Sequence, residues 1–306
     1  MPTAWTENEG RQYLVRVLDQ RLPPLEGETS GIAPMVGEDI DYRADSFVQR
    51  MQFFSGKAQI VSGGVTEHTK VGHSVIEKTR PVKMATIGGD ITAREQERGE
   101  FAGRSIPLTV GTAMARALDA FHNDTKFTGQ VAHGIEGVYT HPGIRRVFMT
   151  QTVASGTTVD TMTSEILTAL DSRMTATAMA NPEPYSALAC SPTQFQFLAN
   201  TKRSSNVDRS ILEDMIASRS AVGRPFVIVP MQKCVGAGPN GGDILIGFDQ
   251  NRPDIGGYAV PSGRNIDRFP DFVKHGTVEM LWRGFTAGMV YDYPLEGPVI
   301  IVPSGS

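Results

Sequence analysis

The chain has 306 residues, with 29 lysine and arginine side chains against 33 aspartate and glutamate, so its formal net charge at pH 7 is −4. This balance excludes a strongly basic nucleic-acid-binding protein. Hydrophobic residues make up 40% of the chain and charged residues 20%, which predicts a globular protein and excludes global disorder. The 32 glycines and 19 prolines predict many turns, and the length favours about two domains.

The sequence shows no signal for secretion or membrane insertion. Met1–Arg11 lacks the apolar core of a signal peptide. The longest apolar stretches, Phe226–Val229 and Val299–Val302, are far shorter than the roughly 20 residues of a spanning helix, so we expect no membrane partner. Cys190 and Cys234 lie in apolar segments, which favours buried free thiols over a disulfide.

The first 45 residues combine apolar side chains with frequent proline and glycine. Tyr13, Leu14 and Val17 recur at helical spacing, but the prolines and glycines of residues 23–37 prevent a long helix or strand. We therefore predict an extended arm that lies against a protein surface. The sequence leaves open whether that surface belongs to the same subunit or to a neighbour.

Short β-like runs follow between Phe47 and Ile87. Ala58–Val61 precedes a turn signal at residues 62–64, and Val71–Lys78 alternates apolar with polar side chains. This predicts two or three antiparallel strands, partly in a projecting hairpin. Because an isolated hairpin is marginally stable in water, a projecting one needs a surface to lie on.

Four helices and a strand are predicted in the middle of the chain. A short exposed helix begins at a Thr92–Glu95 capping box and stops at Gly99, and a long helix with one apolar stripe follows at Ile106–His122. The remaining elements are an amphipathic helix at Asp160–Met179, a strand at Tyr185–Cys190 and a helix capped by Ser191 and Gln194 that reaches about Ala199.

The last third is rich in strands. Phe226–Val229 and Ile244–Phe248 are separated by a link containing Asn240-Gly241, which predicts a hairpin. Val278–Tyr291 predicts a long strand, with Gly284 and Gly288 as bulge positions. The mixture of helices and strands indicates the α+β class.

Residues 236–241 match the G-x-G-x-x-G pattern of dinucleotide sites. Such a site must follow a strand and open a helix, whereas here a strand follows and Pro239-Asn240-Gly241 has turn chemistry. We therefore predict no bound nucleotide and no other cofactor.

His133, Glu136 and His141 carry groups that bind zinc or iron. Their spacing matches no helical metal-binding pair, and the surrounding glycines predict a looping connection, which favours ordinary turn residues and no metal. A soluble metal-dependent enzyme built on these three residues remains the less favoured alternative.

The region after the long helix carries the most specific family likeness. It contains Asn123, Phe127-Thr128-Gly129, the run Gly134–Val138 and His141-Pro142-Gly143. With the elements at 160–200 and the late segment 282–292, this order resembles the major capsid proteins of tailed bacteriophages, whose fold is shared with encapsulins. Two features depart from it: no scaffold-like amino-terminal domain is visible, and the apolar tail Val299–Val302 has no assigned place.

The resemblance implies an α+β tailed-phage capsid fold in five segments. These are an arm (1–45), a β-hairpin or extended loop with adjoining strands (46–90), a peripheral domain with a spine helix (91–200), an axial domain (201–255), and return strands with a carboxy-terminal tail (256–306). It also implies a structural protein of the virion without catalysis, which assembles in the host cytoplasm through pentamers and hexamers into an icosahedral shell.

The implied partners are other copies of the chain and packaged double-stranded DNA held by weak, non-specific contact. Portal, scaffolding or decoration proteins are further partners. An encapsulin-like compartment that encloses proteins is the alternative. Hypothetical assembly residues are, in chain order, Trp5, Tyr13, Phe53, Phe54, Lys57, Gly63 and Gly64. The competing interpretation is that these side chains pack within one subunit.

Overall fold

The computed structural model describes residues 26–55, 72–101, 106–154, 157–173, 184–202, 208–220, 225–250, 252–263, 266–274, 276–292 and 296–306. The predictions for residues 1–25 and for the strand and turn at 58–64 lie outside these ranges. In the part of the chain that the structure describes, no helix is both long enough and apolar enough to cross a bilayer.

The helices, numbered in chain order, are α1 (Glu26–Thr29), α2 (Ala93–Phe101), α3 (Ile106–Thr128), α4 (Val159–Asp171), α5 (Pro192–Asn200) and α6 (Ile211–Ser220). The strands are β1 (Met35–Val36), β2 (Ser46–Ser55), β3 (Gly72–Pro81), β4 (Lys83–Thr92), β5 (Arg145–Phe148), β6 (Ala187–Cys190), β7 (Val227–Pro230), β8 (Leu245–Phe248), β9 (Gly256–Ala259), β10 (Asp267–Arg268), β11 (Phe272–Lys274), β12 (Thr277–Thr286), β13 (Gly288–Tyr291) and β14 (Val299–Val302). The described strands form four sheets, and the α+β class is confirmed.

Strands β2 and β3 form the predicted antiparallel hairpin. The pairing begins with Ser46 opposite Pro81 and ends with Ser55 opposite Gly72. Among the described strands, these two pair only with each other. The hairpin is therefore a separate two-stranded unit, and its stability depends on what its base contacts.

Strand β4 leaves the hairpin and pairs along its whole length with β12, which carries β10 and β11 on its other edge. The predicted strand at 278–291 is divided in two because Gly288 has a left-handed backbone, with φ +79°. A Cβ atom at Gly288 would lie 2.7 Å from the carbonyl oxygen of Glu136. Gly284 instead pairs in regular register with Ala85, so no bulge occurs there.

The capping box of α2 is present: the Glu95 carboxylate accepts from Thr92 N at 2.9 Å, and Glu95 N donates to Thr92 Oγ1 at 3.3 Å. The predicted stop at Gly99 is wrong. Gly99 is buried and the helix continues to Phe101. A glycine inside a helix costs about 1 kcal/mol relative to alanine, which is too little to end a helix that packs against a neighbour.

The long helix α3 continues six residues beyond its predicted end at His122. Its last turns carry polar residues that are buried because they find tertiary partners. The Nδ1 atom of His122 lies 2.9 Å from the Tyr258 hydroxyl, and Asn123 Oδ1 accepts from Gly27 N. Gly129 ends the helix with φ +69°, and a Cβ atom there would lie 2.6 Å from the Gly137 nitrogen.

The largest sheet has the strand order β5-β14-β8-β6-β7. The predicted hairpin of Phe226–Val229 with Ile244–Phe248 is wrong, because β7 pairs in parallel with one edge of β6 and β8 pairs antiparallel with the other. The apolar tail Val299–Val302 is strand β14, which lies between β5 and β8 and is fully buried.

The three inner strands, β14, β8 and β6, are buried on both faces, which explains why they have continuous apolar sequences. Along β14, Ile300 and Val302 contribute to a core shared with α3, β9 and β13, whereas Val299 and Ile301 contribute to a core under α4, α5 and α6. The Ser191–Gln194 capping box at the start of α5 is also present, as predicted.

Two further sequence features have structural roles. Residues 236–242 form turns in which Gly241 N donates to Gly238 O at 3.0 Å, and strand β8 rather than a helix follows, so the turn interpretation of the glycine pattern is confirmed. Cys190 and Cys234 are buried free thiols, as predicted.

Candidate assembly interface

Most of the predicted assembly residues lie outside the described residues. This holds for Trp5, Tyr13, Lys57, Gly63 and Gly64. The backbone of the other two lies in strand β2, where Phe53 is opposite Ser74 and Phe54 is opposite His73. Their role in assembly stays a prediction.

The described part of the hairpin exposes apolar side chains. Val48 is 52% exposed, Val75 44% and Ile76 51%. Because Val75 and Ile76 are neighbours on one strand, they point to opposite faces of the hairpin. Both faces therefore offer apolar area that the described part of the subunit does not cover.

The base of the hairpin is, in contrast, tightly bound to the subunit body. Gln49 and Arg80 are both buried, and Arg80 Nε donates to Gln49 Oε1 at 2.8 Å. Gln49 Nε2 donates in turn to the Tyr291 carbonyl at 2.9 Å and to Asp292 Oδ1 at 3.0 Å. These bonds join both hairpin strands to the end of β13.

Glu136 lies on the connection after α3, and its carboxylate accepts hydrogen bonds from two cationic side chains of strand β3. Lys78 Nζ lies 2.7 Å from Oε1, and Arg80 Nη1 lies 2.8 Å from Oε2. Burial by itself would raise the pKa of Glu136, but the Lys78 hydrogen bond and the charges of Arg80 and Lys78 outweigh it and lower that pKa. We call Gln49, Lys78, Arg80, Glu136 and His141 the hairpin anchor.

His141 completes the anchor as a neutral ring. Burial lowers the pKa of His141 to about 4; Glu136 opposes this shift, and the charges of Arg80 and Lys78 add to it. Its Nδ1 atom lies 3.1 Å from Gly143 N, and its Nε2 atom lies 3.2 Å from Arg80 Nη2. Since a neutral imidazole has one acceptor nitrogen, only one of these two donors forms a hydrogen bond with it.

The geometry does not fit the metal-dependent alternative. Glu136 and His141 come together, with Oε2 and Nε2 3.5 Å apart, but His133 is exposed on the preceding turn. Both carboxylate oxygens of Glu136 already bind cationic side chains, which repel a metal ion. Across the described ranges, no group of three or more histidine, cysteine, aspartate or glutamate residues has the geometry to hold a metal.

A groove of about 420 Å³ lies between β4 and α3. Its lining includes five consecutive β4 residues, Lys83–Ile87, together with Ala117, Leu118 and Phe121 of α3. Because successive strand residues face opposite sides, a groove lined by all five runs along the strand edge. Among the described strands, β4 pairs only with β12, so this edge has backbone groups available for pairing with another chain.

Sequence reasoning missed the hairpin anchor. The only local signal was the placement of Lys78 and Arg80 two residues apart on one strand, which puts both cations on one face. Nothing in the sequence connects that face with Glu136, because the contact spans more than 50 residues.

The chain is similar in structure to known capsids. The capsid of Myoviridae phage XM1 shares 14% identity, with 93% of each chain covered and a TM-score of 0.72. The capsid of an empty GTA particle computed with C5 symmetry shares 12% identity, covering 92% of this chain and 91% of that chain, with a TM-score of 0.60. A chain of Mycobacterium phage Cain shares 10% identity, covering 96% and 98%, with a TM-score of 0.55.

These likenesses define the fold as that of tailed-phage capsid subunits, as predicted. The family model described as major capsid protein matches residues 56–265. The chain belongs to the major capsid protein family, and its role is that of a structural capsid protein. No curated protein sequence matches it.

Proposed function

We propose that this protein is a self-assembling shell subunit. Copies associate as pentamers and hexamers, and these capsomers join into an icosahedral virion shell that encloses double-stranded DNA. The observation that carries the proposal is the hairpin, which is fixed at its base by the hairpin anchor but exposes Val48, Val75 and Ile76 above it.

Apolar area of this kind favours association between copies. Burying an apolar side chain such as that of Val or Ile stabilises a complex by about 1.5–3 kcal/mol before the cost of association is subtracted. A fixed base lowers that cost, because the hairpin does not have to be ordered when a neighbour binds. The β4 edge beside the groove offers a second surface, on which an extended segment of another copy can add a strand.

The same proposal includes the partners expected from the sequence. A net charge of −4 suits a shell that encloses DNA by weak, non-specific contact and lets it slide. Portal, scaffolding and decoration proteins bind the assembled shell or its precursor. Assembly takes place in the host cytoplasm.

The five-segment division and the seven candidate assembly residues belong to this proposal. The five-stranded sheet takes β5 and β6 from the proposed peripheral domain, β7 and β8 from the proposed axial domain and β14 from the tail. These segments therefore share one sheet and are not independent structural units.

A shortened hairpin tests the proposal. Ser55 and Gly72 are opposite each other, so replacing residues 56–71 by Asn-Gly closes the hairpin with a two-residue turn. We expect a folded subunit, with unchanged circular dichroism, that forms no shells under negative-stain microscopy. Thr79→Ser, an exposed and conservative change on the same strand, is the control and should assemble normally. Intact shells from the shortened chain would contradict the proposal.

The contents of purified particles separate the two kinds of shell. Nuclease-protected double-stranded DNA supports the proposed capsid. A captured protein without DNA would favour the encapsulin-like compartment instead.

A further inference from the structure

Glu26, at the start of the described chain, binds a distant turn. Its Oε1 atom accepts from Gln232 N at 2.6 Å, and its Oε2 atom accepts from Lys233 N at 2.8 Å. These two amides are the first two of the one-turn 3₁₀ helix Gln232–Cys234. Its N-cap residue, Met231, provides no side-chain acceptor. Glu26 therefore supplies the cap that the turn lacks.

The next residue binds the long helix. Gly27 N donates to Asn123 Oδ1 at 2.8 Å in a buried contact. A Cβ atom at Gly27 would lie 3.0 Å from that oxygen and 3.0 Å from Lys126 Cδ, so the backbone lies directly on α3. Residues 26 and 27 thus bridge α3 and the turn 232–234.

The turn itself is held to α3 and to the connection that follows it. Lys233 O accepts from the Tyr139 hydroxyl at 2.5 Å, and Lys233 Nζ pairs with Asp124 near the end of α3. The carboxylate of Glu26 thus completes a network of hydrogen bonds and one ion pair. This network joins residues 26 and 27, the turn 232–234 and the end of α3.

We propose that Glu26 is a positioning residue for assembly: its carboxylate clasps the turn 232–234 and fixes the point at which residues 1–25 join the subunit body. The inference rests on the proposed function, in which the arm contacts neighbouring copies. An arm that starts from a fixed point meets its neighbour at a higher effective concentration than one that starts from a loose point.

The next fixed point along the chain shows what loss of the clasp would do. Ile32 and Ala33 are buried in the main core, and Tyr258 N donates to the carbonyl of Pro34 at 2.8 Å. Ser30 is buried as well, so without the contacts of Glu26 and Gly27 only the four residues before it can shift, and the start of the arm can move by roughly 13 Å.

The test compares Glu26→Gln with Glu97→Gln. Both variants remove one negative charge, but Glu97 is an exposed residue on α2. Hydrogen exchange of the peptide containing Gln232 and Lys233 measures the clasp directly, and we expect it to become about tenfold faster only in Glu26→Gln. Shell yield, measured by sedimentation and negative-stain microscopy, should fall by about tenfold in the same variant.

Glu26→Asp provides a second variant should Glu26→Gln fail to fold, because it keeps the charge but shortens the side chain; we expect the same two changes. If the natural chain forms shells and both Glu26 variants form as many, the role of Glu26 is wrong while the proposed function stands. Unchanged hydrogen exchange at Gln232 and Lys233 in the Glu26 variants would also overturn the proposed role of Glu26. If the natural chain forms no shells, the proposed function fails, and with it this role of Glu26.

Discussion

Arg80 and Glu136 are joined by a hydrogen bond of 2.8 Å between Nη1 and Oε2, although they are 56 residues apart in the chain. Arg80 lies on the hairpin and Glu136 lies on the connection after α3. The side chain of Arg80 is only 5% exposed. The pair therefore connects the exposed hairpin to the body at a place where an unpaired charge is costly.

We expect Glu136→Gln to lower the free energy of unfolding by about 2 to 3 kcal/mol, because it leaves the buried Arg80 guanidinium uncompensated. Urea denaturation measures the change. Glu77→Gln is the control, since the Arg50–Glu77 pair is more than half exposed on both sides and should contribute less than about 1 kcal/mol. Equal losses of unfolding free energy in the two variants would show that the Arg80–Glu136 pair stabilises the protein no more than an exposed pair does.

The stability of the protein should fall between pH 6.5 and about 4 in a way that depends on His141. In the unfolded chain this histidine takes up a proton near pH 6.5, whereas burial keeps the pKa of folded His141 at about 4. Between these values the unfolded state binds more protons, so the contribution is complete above pH 6.5 and is lost as the pH falls.

Urea denaturation at steps from pH 7.5 to 4 measures this dependence. His141→Asn keeps an acceptor for Gly143 N but does not titrate, so its slope in this range should be smaller than that of the natural chain. His133→Asn removes an exposed histidine and should leave the slope unchanged. Parallel curves for all three proteins would disprove the assignment.

Gly129→Ala should be far more damaging than Gly241→Ala, although both glycines have a left-handed backbone, with φ +69° and +79°. A Cβ atom at Gly129 would lie 2.6 Å from backbone atoms of Gly137 and Ile135, whereas nothing lies within 4 Å of one at Gly241. We expect losses of about 4 kcal/mol and 1 kcal/mol respectively, measured by thermal unfolding. Similar melting temperatures for the two variants would refute the close approach at Gly129.

Ile301→Ala should cost about 2 to 5 kcal/mol of stability, because Ile301 lies fully buried in the inner strand β14. Val273→Ala, at a position that is 77% exposed, should change the stability of the isolated subunit by less than about 0.5 kcal/mol. Denaturant unfolding of both variants gives the comparison. A small effect at Ile301 would mean that β14 is not part of the folded core.

Features that depend on neighbours in the chain were predictable from the sequence. The Ser191–Gln194 and Thr92–Glu95 capping boxes are examples, because the two residues of each box meet within one turn. The alternation in Val71–Lys78 likewise predicted a strand, which the structure shows as β3 paired with β2. The end of α3 was not predictable, since polar residues such as Asn123 look exposed until a distant segment covers them.

The sequence by itself therefore determined the α+β class, the hairpin, the long helix and, through its glycine-rich junction, the resemblance to phage capsid proteins. Only the tertiary structure decided that Val299–Val302 lies inside a sheet, between β5 and β8, and that Lys78, Arg80, Glu136 and His141 meet at the hairpin base. The physical reason is that strand order and charge pairing arise from contacts between segments far apart in the chain. Local periodicity records which face of a segment is buried, but not which partner buries it.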